Sequence, residues 1–101
     1  MNGISRGEVL KSYAHKVPGG KLIKIKLELT ENRIQSIVIT GDFFLHPEDC
    51  LLSIEESLVG CEIDSNLLVE RIENIMSEKG CQLIGATASD LVIAIMKAAE
   101  S

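Results

Sequence analysis

Aromatic residues are nearly missing from this chain. Three occur in 101 residues, Tyr13, Phe43 and Phe44, and there is no tryptophan. No apolar run approaches the ~20 residues that a membrane-spanning helix needs, so the sequence predicts no membrane contact. An excess of positive charge is missing too, since the formal net charge is −5. Sequence-independent binding to nucleic acid needs the opposite sign, so that class is set aside. Cysteine is limited to Cys50, Cys61 and Cys81. Their spacing holds no Cys-x-x-Cys pair and matches no zinc pattern. An odd count without a secretory leader reads as reduced, inert thiols in a cytoplasmic protein. Internal repeats, low-complexity segments and linkers are also lacking.

What is there fits one domain spanning residues 1–101. A chain of this length buries roughly 60–68% of its unfolded surface. That supplies one core without staples but leaves little room for a large substrate cavity. A module or subunit is therefore favoured over a self-contained enzyme. Charge is divided between the two halves. Residues 1–40 hold seven Lys/Arg and three Asp/Glu, while residues 41–101 hold three and twelve. Such a dipolar molecule can orient a partner or an anionic ligand.

The periodicity predicts an α+β fold: an antiparallel β-meander of two to three strands, then three helices. Residues 1–7 read as a loose terminus. Residues 8–16 fit an edge strand, which Val17-Pro18-Gly19-Gly20 ends. Residues 21–30 alternate cleanly, with Ile23, Ile25, Leu27 and Leu29 on one side and Lys24, Lys26, Glu28 and Thr30 on the other. Glu31-Asn32-Arg33 predicts a hairpin turn, and residues 34–40 the return strand. In that strand Ile34 and Val38 share one parity and Ile37 and Ile39 the other, which implies a bulge or two covered faces. Pro47 predicts the first turn of the first helix, His46 its cap and Gly60 its end. Asp64 or Ser65 opens the second helix and Gly80 closes it. Gly85 marks a short connector, and Thr87-Ala88-Ser89-Asp90 has the form of a capping box. The third helix, over 88–100, is apolar nearly all round, so it needs deep burial or a partner.

Two stretches could carry chemistry. In Pro18-Gly19-Gly20-Lys21 the glycines expose backbone N–H groups and the lysine adds charge, a set that suits a phosphate or adenylate. The stretch lacks the spacing and the strand-to-helix setting of a P-loop, so by itself it is a turn. Lys16, Lys21, Lys24 and Lys26 lie on or beside one strand. They form either a solvated face that discourages edge pairing or a basic wall beside a bound anion. In Gly41-Asp42-Phe43-Phe44 the neighbouring rings of an extended chain point opposite ways, one into the core and one toward a partner. Asp42 and His46 could form an acid–base pair; alternatively Asp42 bonds loop N–H groups and His46 caps the helix. Cys61, just after Gly60, reads as the most exposed thiol, and a sulfur or iron–sulfur carrier would use it with Cys50 or Cys81.

Taken in order, Lys16-Val17-Pro18-Gly19-Gly20-Lys21-Leu22-Ile23, the segment Ile34 to Ile39, Thr40-Gly41-Asp42-Phe43-Phe44-Leu45-His46-Pro47 and Leu58-Val59-Gly60-Cys61 resemble the C-terminal accessory domain of lipoate–protein ligases. The match runs from about Lys16 to about residue 76, and its specificity comes from order and spacing. In that family a large catalytic domain binds ATP, Mg and lipoate and makes lipoyl-adenylate. It then transfers lipoyl to a lysine of a lipoyl-domain protein, and the small domain is needed for adenylation. The Arg-Arg-x-x-Gly-Gly-Gly type motif and catalytic lysine of the large domain do not occur here. The resemblance therefore implies a free-standing accessory subunit, in a cytoplasmic heterodimer with a separate catalytic subunit. It implies no catalytic residue, bound metal or cofactor on this chain. It also implies a fold similar to iron–sulfur scaffold and sulfur-acceptor proteins, with helices packed on one face of the sheet. The residues expected to face ligand or partner are Lys16, Pro18, Gly19, Gly20, Lys21, Lys24, Gly41, Asp42, Phe43 and Phe44.

Overall fold

Strand β2 (Leu22–Thr30) is the middle of a three-stranded antiparallel sheet in the order β1-β2-β3. Its alternation sorts the residues as expected: Ile23, Ile25, Leu27 and Leu29 are buried, and Lys24 and Lys26 are exposed. Strands β1 (Glu8–Lys16) and β3 (Arg33–Gly41) flank it. The computed structural model describes residues 8–17, 19 and 21–101; the 1–7 segment, Pro18 and Gly20 lie outside the described residues. Between β2 and β3 the turn has two residues, not three. Glu31 (φ 52°) and Asn32 (φ 65°) form it, and Arg33 already pairs with Thr30. Two positive φ angles match the right-handed twist of the strands. The bulge is present. Glu28 pairs with Ser36 and Leu29 with Ile34, which leaves Gln35 without an opposite residue. The extra residue resets the parity, so Ile34, Ile37 and Ile39 are all buried.

The apolar face of the sheet is covered by α3 (Ala88–Glu100) over β1 and β2, and by α1 (Cys50–Leu58) over β3. Helix α2 (Ser65–Lys79) packs on both other helices. Helix α3 thus finds its cover within the chain, between the sheet and α2. It buries Leu91, Val92, Ala94, Ile95 and Ala98, and Ile93 stays 44% exposed. Its capping box is formed by Thr87 and Asp90. Asp64 caps α2 by accepting from the N–H groups of Asn66 and Leu67, and Gly80 ends it in the left-handed region. The opposite face of the sheet, with Lys24, Lys26, Val38 and Thr40, is exposed.

Two expectations need correction where the sheet meets the helices. The segment before Pro47 is not a helix cap. Phe44–His46 forms strand β4, which pairs antiparallel with β5 (Gln82–Ile84) in the stretch expected to be a connector. Proline has no N–H to donate and closes the strand, so α1 starts only at Cys50. Asp49 stands at its N-cap without a side-chain cap bond, and His46 pairs with Gln82 instead. The second correction follows from the first. Antiparallel pairing brings the residues after β4 to the same end as the residue before β5. Cys50 and Cys81 meet there and form a disulfide, where the sequence suggested reduced thiols. Cys61 is the free cysteine and is buried rather than exposed, its thiol 3.6 Å from Ser57 O.

Leu91 has no exposed surface. Leu91→Ala should lower the unfolding free energy by about 2–5 kcal/mol in denaturant titrations. The disulfide spans a sequence separation of 31 residues. Replacing Cys50 and Cys81 together by alanine should cost about 3–4 kcal/mol through the freed denatured chain. A double variant as stable as the parent would show that the bridge constrains nothing.

Candidate functional site

One end of the sheet collects most of the residues singled out by sequence. There β1 ends at Lys16, β2 begins at Leu22 and β3 ends at Gly41, with Lys16 paired to Leu22 and Ile23 to Gly41. The β1–β2 loop closes when Val17 N donates to Lys21 O at 2.8 Å. Within it Gly19 has φ 99°, a conformation that suits glycine. On the other side Asp42 N donates to Leu22 O at 2.8 Å and holds the chain leaving β3 against the start of β2. The loop and the departing chain then flank an open groove of about 480 Å³. Gly19, Lys21, Gly41, Asp42, Phe43 and Phe44 line it.

Gly41 is needed here for space. A β-carbon on it would collide with Leu22 O and lie 2.9 Å from the Phe43 ring and 3.0 Å from Ile23 Cα. The two phenylalanines divide as adjacent residues of an extended chain must. Phe43 packs against the core, and Phe44 is 65% exposed. Gly85, at φ 97°, brings the chain after β5 against this segment; a β-carbon there would lie 3.5 Å from Asp42 O and from Phe43 Cα. Ile84 is the residue that sequence reasoning missed. It pairs directly with Phe44 and is 51% exposed. A three-residue strand is too short to show periodicity, so no signal pointed to it.

The other expected residues are placed differently. Lys16 is exposed at the end of β1, outside the groove lining. Lys24 lies on the open face of the sheet in a separate depression of about 310 Å³ with Lys26, Val38 and Thr40. Pro18 and Gly20 lie outside the described residues. His46 does not line the groove; its ring stacks on Phe44 with centroids 6.4 Å apart. The acid–base pairing of Asp42 with His46 therefore has no support. Among the described residues of the groove lining, Lys21 is the one cation and Asp42 the one carboxylate. Among the described residues no group of three or more His, Cys, Asp or Glu could hold a metal ion, so the groove does not fit one. The cysteines do not fit a sulfur or cluster carrier: Cys50 and Cys81 are joined, and Cys61 is 5% exposed. What the groove offers is an ammonium, backbone polar groups and an exposed phenyl ring on a surface open to solvent.

Comparison with known proteins points one way. A family model described as bacterial lipoate protein ligase C-terminus matches residues 11–95. The chain is similar to lipoate-protein ligase A subunit 2 of Thermoplasma acidophilum, with 46% identity over 43 residues. That segment covers 43% of this chain and 46% of the relative, so the match spans about half of the relative's length. The fold is similar to a chain of a solved archaeal lipoylation system from the same organism, a bi-partite lipoate protein ligase and its E2 lipoyl domain. The TM-score is 0.74 at 31% identity, covering 87% of this chain and 96% of that one.

Because backbone blocks the space beside Gly41, Gly41→Ala should destabilise the fold by about 3 kcal/mol or more. Thermal melts of the purified variant measure it. A melting point within a degree of the parent would mean that the β2–β3 end is not as tight as the close approach to Leu22 requires.

Proposed function

We propose that this chain, which belongs to the bacterial lipoate–protein ligase C-terminal family, is the accessory subunit of a two-part lipoate–protein ligase. In this reading it is required with a separate catalytic subunit for the ATP-dependent conversion of lipoate to lipoyl-adenylate. The observation that carries it is the groove: Gly19, Lys21, Gly41, Asp42, Phe43 and Phe44 converge on a surface that is open, not enclosed. An open groove with one ammonium binds a small anion weakly, because water screens the charge. Covered by a second protein, the same ammonium would sit in a drier setting and weigh more on the charge of a nucleotide or acyl-adenylate. That is the work of a subunit that completes a site on its partner.

ATP, Mg and lipoate are assigned in this reading to the catalytic subunit, as the family resemblance implies. The lipoyl-domain acceptor meets this chain only through the complex. A ligase that consumes ATP works where ATP is held, so we place the pair in the cytoplasm.

Pyrophosphate release from the large subunit, lipoate and ATP should be low alone and rise when this chain is added. Equal rates with and without the chain would end the proposal. Lys21→Ala should reduce the stimulated rate roughly tenfold, the effect of losing one charge-assisted hydrogen bond of about 1.5 kcal/mol. Lys21→Arg should keep most of it.

A further inference from the structure

The β4–β5 ribbon carries an apolar pair that the chain itself leaves uncovered. Phe44 and Ile84 are register partners, so their side chains stand next to each other on one face of the ribbon. They are 65% and 51% exposed. On the other face Leu45 and Leu83, also register partners, are half-buried against the core. Among the described residues the remaining large exposed hydrophobics lie away from this ribbon: Leu10, Tyr13 and Val38 in the sheet, Leu52 and Ile93 in helices, and Val59 just after α1. Scattered apolar residues need no explanation, whereas two side by side beside a groove do.

The ribbon is also held in place from both ends. The Cys50–Cys81 disulfide lies next to the His46–Gln82 pair, and Gly85 packs against Asp42 and Phe43 at the other end. An apolar pair fixed before binding loses little entropy on docking, and aromatic side chains of this kind dominate interface energies. Lys21 and Asp42 line the same groove as Phe44, one charge of each sign among the described residues.

We infer that Phe44 and Ile84 are the anchor by which this chain docks into its catalytic partner, seated in an apolar pocket beside a carboxylate that pairs with Lys21. This rests on the accessory-subunit reading and adds the surface that makes the contact. Position sets the occupant: the pair borders the groove that the catalytic subunit is read as covering, and a fixed apolar pair suits a preformed pocket on a folded protein.

Titration of the purified chain with the large ligase subunit tests it, with pyrophosphate release followed in the same samples. Phe44→Ala and Ile84→Ala should each weaken the complex about tenfold or more. Leu52→Ala, exposed on α1, should change it less than twofold. Affinity should fall as salt is raised, and less steeply in Lys21→Gln. If the parent chain binds and stimulates but both ribbon variants bind equally well, the anchor is overturned and the accessory-subunit reading stands. If the parent chain neither binds nor stimulates, both fall. Light scattering provides one more outcome: a dimer of this chain that Phe44→Ala dissolves would assign the ribbon to a second copy and overturn the inference. Circular dichroism confirms that the variants are folded, as expected for side chains so exposed.

Discussion

The burial of one face of β2 is the constraint on which the rest of the structure depends. Ile23, Ile25, Leu27 and Leu29 lie under the helices, and within the three-stranded sheet both neighbouring strands pair with β2. A sheet with one apolar face must be covered, and here the cover comes from the chain's second half. Helix α3 provides most of it, crossing β1 and β2. A helix apolar nearly all round suits that position, because α2 closes its other side. The bulge at Gln35 serves the same end: without it, Ile37 and Ile39 would fall on the face opposite Ile34.

The groove is a by-product of the same topology. In an antiparallel meander the first loop and the end of the third strand share one edge of the sheet. Val17–Lys21 and Gly41–Phe44 therefore become neighbours whatever else the chain does. What is specific is the tightness of the approach. The Asp42–Leu22 hydrogen bond and the absence of a β-carbon at Gly41 let the chain leave β3 close beside β2. This closeness aims Phe43 inward and leaves Phe44 outside.

Much of this was legible in the residues. The alternation of residues 21–30, the parity fault in 34–40 and the caps at Asp64, Gly80 and Thr87 all describe local conformation, and all are present. So is the opposite facing of Phe43 and Phe44. The ribbon and the disulfide were not legible. Both depend on contact between residues about forty and thirty positions apart, and short pieces such as Gln82–Ile84 have no period to read. Pro47 misled for a related reason. The preference of proline for a first helical turn is real, but equally it ends a strand, and tertiary pairing chose the second use. Of the residues expected to face ligand or partner, the described ones Gly19, Lys21, Gly41, Asp42, Phe43 and Phe44 share the groove. Lys24 does not, because strand parity turns it to the open face.

The disulfide changes the connectivity of the molecule as well as its stability. From Cys50 to Cys81 the backbone and the sulfur bridge close a ring that contains α1 and α2. The sheet and α3 are then two arms that leave the ring at its clasp, where β4 and β5 run beside each other. A single cut of the backbone anywhere inside the ring frees no fragment; sheet arm and helix arm stay covalently joined. A cut in either arm outside the clasp does separate a piece. The two helices inside the ring are thereby the part of this chain that can be nicked without breaking the molecule in two.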